Sequence, residues 1–162
     1  MSITSQNRFS QKTRILAWNV NGLLIRKREL EAFLTTEHID VALISETHLT
    51  SRQRAPIRNY EFYQCNHPSG ASHGGTAIYV RKNLQHHTYS NFCTEKIQAA
   101  VITVKLSNGS HANVAAIYCP PRHNIDAAEY ADLFTHLGPK WLAGGGGLQC
   151  ETPVLGLSTP YP

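Results

Sequence analysis

Polar side chains of three kinds stand where apolar runs of this sequence end. Asn19 and Asn21 lie in "WNVNG", Glu46 directly follows "VALIS", and Tyr118 precedes "CPP". Catalytic side chains concentrate at such positions, because a rigid strand meets a loop that is free to vary. Mg²⁺ needs only one or two protein carboxylates and keeps its waters, so Glu46 suits it as a ligand. An asparagine nearby would orient a metal-bound water or the carboxylate.

Each of these side chains also has an ordinary structural interpretation. An isolated Glu at the edge of a loop usually faces water. Asparagines form turns, since they tolerate left-handed backbone. A lone Tyr at a strand end is commonly an aromatic with a solvated hydroxyl. Only the combination of three polar strand ends favours a functional site over these alternatives.

The first forty-five residues predict a βαβ unit that would bring two of these strand ends together. The run "TRILAWNVNGL" predicts a buried strand and then a tight turn at its Asn-Gly. A helix is expected in "RKRELEAFLTTEHI", and "DVALISE" predicts a second buried strand. Strand, helix and strand in this order imply a parallel pair. The expected helix has one stripe at helical spacing: Leu30, Phe33, Leu34 and Glu37.

The rest of the chain is predicted to be rich in strands, with one more helix. Strands are expected in "YEFYQC", "GGTAIYVR", "IQAAVITVKL", "HANVAAIYCPP" and "KWLAGG". The segment "NIDAAEYADLFTHLG" predicts a helix that begins near Asp126 and ends at Gly138. The pattern indicates a mixed α/β domain with helices covering β-sheets.

Composition limits the classes of protein to consider. The 162 residues allow one domain or part of one, and 41% hydrophobic with 16% charged residues is typical of a globular chain. A net charge of +4 and nine histidines fit a polyanionic partner. The four cysteines have no CxxC spacing, which disfavours zinc and indicates reduced thiols inside a cell. No secretory leader and no membrane-spanning apolar run is expected.

Five stretches occur in the order known from one superfamily: "WNVNGL", "RKRELEAFL", "DVALISETHLT", "GGTAIYVR" and "AAIYCPPR". From about Arg14 to Gly145 the chain resembles the endonuclease/exonuclease/phosphatase superfamily. That superfamily includes deoxyribonuclease I, the apurinic/apyrimidinic endonucleases and the endonuclease domain of non-LTR retrotransposons. "NVNGL" followed by "ETHLT" is most similar to the jockey-like retrotransposon branch. The resemblance implies an α/β fold, a truncated four-layer sandwich of two β-sheets flanked by helices.

The resemblance further implies hydrolysis of a phosphodiester by water, dependent on Mg²⁺ or, as a substitute, Mn²⁺. Glu46 matches the metal-binding glutamate of the superfamily, and Asn19 matches its first active-site asparagine. Asn21 stands near the metal, and Tyr118 matches a tyrosine that contacts the scissile phosphate. Four basic residues would contact the DNA backbone, with solvated surface charge as the alternative for each: Arg26, Lys27, Arg52 and Arg122. Three histidines without a partner pattern are expected at the surface: His48, His86 and His87.

The end of the chain departs from the superfamily pattern. At the position that follows "KWLAGGGG", the superfamily has the motif Gly-Asp-x-Asn, whose aspartate and asparagine position and deprotonate the attacking water. In this chain Leu148, Gln149 and Cys150 follow instead. Codons read one base later from Gly147 are compatible with "DFNAKHPSWGSR", the sequence found there in jockey-like elements. We therefore expect a disordered tail at 1–12, the N-terminal part of the domain at 13–146 and a frameshifted tail at 147–162.

By lineage the expected function is nicking of DNA at the target site of a retrotransposon, in the nucleus, to prime reverse transcription. A reverse transcriptase domain would belong to the intact element. This chain is expected to be inactive or nearly so, because the residues that act as a unit in catalysis are incomplete. The uncovered strand edges that remain would favour aggregation. Two alternatives stay open: a phosphatase-type member of the same fold, and a non-catalytic, basic nucleic-acid-binding fragment.

Overall fold

The computed structural model describes residues 13–106, 108–146 and 154–157. The elements, in chain order, are β1 Ile15–Asn19, α1 Leu23–Thr36, β2 Val41–Ser45, β3 Tyr60–Cys65, β4 Thr76–Arg81, β5 His86–Thr88, β6 Phe92–Cys93, β7 Gln98–Lys105, β8 His111–Tyr118, α2 Ala127–Leu137, β9 Lys140–Gly146 and β10 Val154–Leu157. Neither of the two helices in these ranges is long and apolar enough to cross a membrane.

The strands form two sheets, each built around a βαβ unit. The first sheet has the order β1-β2-β4-β3, and its β1 and β2 run parallel on either side of α1 in the chain. The second has the order β10-β9-β8-β7-β5, with β6 also paired to β7. Within it, β8 and β9 run parallel and are connected through α2. The predicted first βαβ unit and the predicted strands and second helix are confirmed.

The two sheets pack face to face through a shared apolar layer. Leu43 and Ile78 of the first sheet lie in one buried cluster with Ile102 and Ala116 of the second. The sheets approach so closely that a Cβ atom at Gly144 would lie 2.9 Å from the Cβ of Ala17. Real Cβ atoms do not come that near, so the glycines of β9 permit this spacing.

Helices cover the two outer faces. Leu30 and Leu34 of α1 pack with Ile44 on the first sheet, and Leu133 of α2 packs with Ile117 on the second. The capping box of α2 is complete, since Asp126 and Glu129 each accept from the other's backbone N–H. Helix, sheet, sheet and helix give the four layers of the truncated α/β sandwich that the resemblance to the superfamily implied.

The apolar stripe expected on α1 is partly wrong. Leu23, Leu30 and Leu34 are the buried residues of this helix, whereas Phe33 is 46% exposed. In the described part of the chain β1 is an outer strand of its sheet, so Phe33 lies over an open groove that Trp18 also lines. Glu37, expected in the stripe, instead follows the last helical residue and pairs with Arg14 at 3.2 Å.

The predicted domain boundaries fall mostly on residues outside the described ranges. Residues 1–12 and most of 147–162 are among these, so the tail and frameshift hypotheses stay predictions. Val154–Leu157 is described as β10, which pairs antiparallel with β9 from Lys140 to Ala143. The short strands β5 and β6 were not predicted, because two or three polar or exposed residues leave no hydrophobic period.

Candidate active site at the ends of β1, β2 and β8

Asn19 and Glu46 meet because β1 and β2 are parallel. Asn19 is in register with Ser45, and Glu46 is the next residue after Ser45. The Nδ2 group of Asn19 donates a hydrogen bond to Oε1 of Glu46 at 3.0 Å. Asn19 Oδ1 accepts from the backbone N–H of Asn21 at 3.3 Å, which leaves the Nδ2 group to hold the carboxylate. The amide therefore orients Glu46.

The backbone around this pair is strained and interlocked. Asn21, Glu46 and His48 have positive φ angles of 44°, 54° and 53°, a conformation that costs of order 1–3 kcal/mol for residues other than glycine. Two backbone bonds hold the segments together: Gly22 N–H to the carbonyl of Glu46 at 2.8 Å, and Leu23 N–H to that of Thr47 at 2.9 Å. Such strain persists only where surrounding structure enforces it, and it is concentrated at functional sites.

Tyr118 reaches Glu46 from the second sheet. It is the last residue of β8 and is 8% exposed. Burial, and then the negative charge of Glu46 together with a hydrogen bond to its side chain, raise the pKa of the Tyr118 hydroxyl above its usual value of 10.0. The hydroxyl thus stays protonated at neutral pH and is available as a donor beside the carboxylate.

Two glycines close the gap between the sheets. The carbonyls of Gly74 and Gly75 accept from the backbone N–H groups of His48 at 3.0 Å and Thr47 at 3.2 Å. A Cβ atom at Gly74 would lie 2.7 Å from Oε1 of Gln98 and 3.1 Å from Cε1 of Tyr118. The "GG" pair before β4 therefore lets the loop run against the tyrosine. Sequence reasoning missed Gln98, although a glutamine opening an apolar strand is a visible signal.

The expectation that His48 is a plain surface residue is wrong. Its Nε2 lies 3.9 Å from Oε2 of Glu46, and its side chain is 32% exposed. The left-handed turn at Glu46 and His48, which spacing alone does not reveal, brings the two side chains together. His86 is also engaged, between the Tyr63 hydroxyl at 3.0 Å and the carbonyl of Leu84 at 2.7 Å. His87 is exposed, as expected.

The basic residues proposed to contact DNA lie on elements that leave the site. Arg52 follows the segment that carries Glu46, and Arg122 lies in the turn after β8; both are exposed. Arg26 and Lys27 are on the first turns of α1, where the Arg26 guanidinium is 3.2 Å from Glu29. That pair is exposed to solvent, so it holds Arg26 weakly.

The donor set suits a hard divalent cation. The Glu46 carboxylate is 23% exposed, and the neighbours that bond to it are an amide and a phenol, both neutral. Along the described ranges, no three His, Cys, Asp or Glu side chains converge on one point. One carboxylate with the Asn19 amide beside it matches the way Mg²⁺ binds, with its other positions left to water and phosphate.

Comparisons with known proteins agree with this geometry. The model of the Endonuclease/Exonuclease/phosphatase family matches residues 16–145. The RNA-directed DNA polymerase from mobile element jockey of Drosophila melanogaster is 36% identical over 132 residues, which are 82% of this chain and 14% of that polymerase. The probable RNA-directed DNA polymerase from transposon X-element of Drosophila melanogaster is 32% identical over 133 residues, with the same two coverages.

Solved structures share the fold. The endonuclease domain of TRAS1, a telomere-specific non-LTR retrotransposon, superposes with a TM-score of 0.62 at 21% identity, over 82% of this chain and 59% of that one. The chain spans 14% of the length of the curated polymerases named above. The family match includes Asn19, Glu46 and Tyr118 with the strands that carry them. This chain belongs to the endonuclease/exonuclease/phosphatase family.

Proposed function

We propose that this site serves the hydrolysis of a phosphodiester bond in DNA with a bound Mg²⁺ or Mn²⁺. The observation that carries the proposal is that Asn19 of the first sheet and Tyr118 of the second both meet the carboxylate of Glu46. In the described ranges this carboxylate has no positively charged partner at hydrogen-bonding distance. Glu46, with the side-chain oxygen of Asn21, would hold the metal. When bound, the metal would stabilise negative charge on the phosphate and on the leaving oxygen.

The chain's own side chains would position the substrate. Asn19 keeps the Glu46 carboxylate in one orientation through its 3.0 Å hydrogen bond. Tyr118, held protonated by the raised pKa of its hydroxyl, would donate to a non-bridging oxygen of the scissile phosphate. Arg52 and Arg122 would bind flanking phosphates, as would two residues of α1: Arg26 and Lys27.

We further propose that the parent element uses this domain to nick its DNA target in the nucleus, so that its reverse transcriptase is primed there. The names of the related proteins support this: they are RNA-directed DNA polymerases of mobile elements. Leu148, Gln149 and Cys150 stand where a general base is expected. None of these side chains accepts a proton from water as a carboxylate does, so we propose that this chain itself retains little or no nicking activity.

The test uses metal binding as well as cleavage, because cleavage is expected to be weak. Mn²⁺ binding in the presence of duplex DNA is measured by electron paramagnetic resonance, and nicking is measured on supercoiled plasmid. Glu46→Gln should abolish Mn²⁺ binding, and Asn19→Ala should weaken it by about tenfold or more, as losses of ligand-orienting partners do. Glu61→Gln is the matched control, since it removes the same charge from an exposed position on β3.

Each alternative has a distinct result. If the chain binds DNA, and if Glu46→Gln leaves Mn²⁺ binding unchanged, the proposed metal site is wrong. That result would support a non-catalytic binding fragment. Release of inorganic phosphate from an inositol polyphosphate, without DNA binding, would support the phosphatase alternative. Metal-dependent nicking as strong as that of an intact relative would overturn the proposed loss of activity.

A further inference from the structure

Two cysteines from different sheets lie side by side. Cys65 is the last residue of β3 in the first sheet, and Cys93 is the last residue of β6 in the second. The thiol of Cys65 donates to the carbonyl of Phe92 at 3.8 Å, and the thiol of Cys93 donates to the carbonyl of Asn66 at 3.3 Å. Each thiol therefore contacts the backbone residue next to the other cysteine.

The segments that carry the two thiols are held together by more than these contacts. Nδ2 of Asn91 donates to the carbonyl of Gln64 at 3.0 Å, so the residues before the cysteines are joined as well. Burial first, and then the charge of Cys93 and a hydrogen bond to its side chain, raise the pKa of the Cys65 thiol. The hydrogen bonds of both segments thus place the two sulfur atoms against each other.

The two thiols differ in their access to solvent. Cys93 is exposed, whereas Cys65 is only 4% exposed. A reagent in solution therefore reaches Cys93 first. Once the sulfur of Cys93 is oxidised, Cys65 lies beside it, so the next step is intramolecular and needs no access from solvent. The third described cysteine, Cys119, is buried and has a hydrogen bond with Tyr130 instead.

We propose that Cys65 and Cys93 form a reversible disulfide by exchange with a low-molecular-weight disulfide such as glutathione disulfide, and that this bond ties the first sheet to the second. The Cys93 thiolate attacks one sulfur of glutathione disulfide, which forms a mixed disulfide and releases one glutathione. The Cys65 thiol then loses its proton, and its sulfur attacks that of Cys93 and expels the second glutathione. Two protein thiols are oxidised, one glutathione disulfide is reduced, and the two protons end on the two glutathione molecules.

The cross-link lies close to the loop that closes the candidate site. The carbonyl oxygen of Cys65 is 3.4 Å from the Cβ position of Gly75. The carbonyl of Gly75 accepts from the backbone N–H of Thr47 at 3.2 Å, and Thr47 follows Glu46. The disulfide would therefore fix this loop where it leaves β3. A cross-link also restricts the unfolded chain, so oxidation should stabilise the fold.

The test combines peptide mapping with thermal unfolding. The reduced chain is incubated with glutathione disulfide, its remaining thiols are alkylated, and it is digested with trypsin without reduction. Cleavage after Arg81 and after Lys82 places the two cysteines in different peptides, so mass spectrometry detects the disulfide as a linked pair. Cys93→Ser is the test variant, since its position is exposed. Cys119→Ser is the matched control, with the same substitution at a cysteine outside the pair.

The wild type and Cys119→Ser should both give the linked peptides, and dithiothreitol should separate them. Their unfolding midpoints, followed by circular dichroism, should be about 5 °C or more higher in the oxidised than in the reduced state. Cys93→Ser should show neither the linked peptides nor this shift. In a second variant, Cys65→Ala, oxidation should stop at the mixed disulfide of Cys93 with glutathione.

Three results would overturn the inference. The first is a wild type that also stops at the mixed disulfide, and the second is a link from Cys93 to Cys150 in place of Cys65. The third is a linked wild type whose unfolding midpoint does not rise. None of these measurements needs DNA or a metal ion, so their outcome is separate from that of the proposed function.

Discussion

Gly74→Ala should damage both the stability of the fold and the candidate site. Gly74 has a φ of +56°, so an alanine there would adopt left-handed backbone, which costs about 1–2 kcal/mol. Its Cβ would also lie 2.7 Å from Oε1 of Gln98 and 3.1 Å from Cε1 of Tyr118. Neither neighbour moves freely. Gln98 is fully buried, with its amide nitrogen bonded to the carbonyl of Thr94 at 2.9 Å, and Tyr118 closes β8.

Overpacking of this kind typically costs about 1–3 kcal/mol. With the backbone strain, the free energy of unfolding should fall by about 2–5 kcal/mol. Chemical denaturation followed by tryptophan fluorescence and circular dichroism measures this loss. Gly109→Ala is the matched control, because Gly109 has a φ of +81° but no heavy atom within 4 Å of its Cβ position. It should lose only the strain, about 1–2 kcal/mol.

The difference between the two variants isolates the steric contribution of the site. If Gly74→Ala and Gly109→Ala lose the same stability, then the loop does not press against Tyr118 and Gln98 as described. The double variant Gly74→Ala/Gln98→Ala gives a second measure. Truncating Gln98 removes one of the two clashing groups, so the combined loss should be smaller than the sum of the two single losses. Full additivity would contradict the proposed contact.

Two further predictions follow from the environments of single side chains. In NMR titrations of tyrosine ring carbons, the hydroxyl of Tyr118 should titrate above pH 10.0. Glu46→Gln should lower the pKa of this hydroxyl, because one cause of its shift is the charge of Glu46. If the pKa does not change, the two groups are not in contact. Among the cysteines that the structure describes, Cys93 should react first with a maleimide under native conditions near pH 7, since it is exposed. Burial raises the pKa of Cys119 to about 11 and also raises that of Cys65, which leaves both as unreactive thiols. Peptide mass spectrometry identifies the modified cysteine, and labelling of Cys65 before Cys93 would refute this order.

Much of the fold could be predicted because its strands are buried on both sides or sit in regular hydrophobic runs. Val41–Ser45 is buried along its whole length, which an uninterrupted apolar run predicts. The second helix has its own signals, an aspartate at the start and a glycine at the end. The errors fall where an element's surroundings decide burial. Phe33 has the spacing of a core residue and is exposed because the sheet edge beside it is open.

The candidate site likewise has parts that the sequence predicts and parts that depend on tertiary packing. The sequence by itself determined the strand ends, and therefore that Asn19 and Glu46 lie side by side once a βαβ unit places β1 parallel to β2. It held no local sign that His48 turns back to Glu46, since that depends on left-handed backbone at both of these residues, with Thr47 between them. Nor did it indicate that Gly74 runs against Tyr118, because the loop before β4 belongs to one sheet and β8 belongs to the other. Hydrophobic period and turn residues act over a few positions of the chain, whereas contacts between the two sheets depend on how their faces pack, and only the tertiary structure decides that.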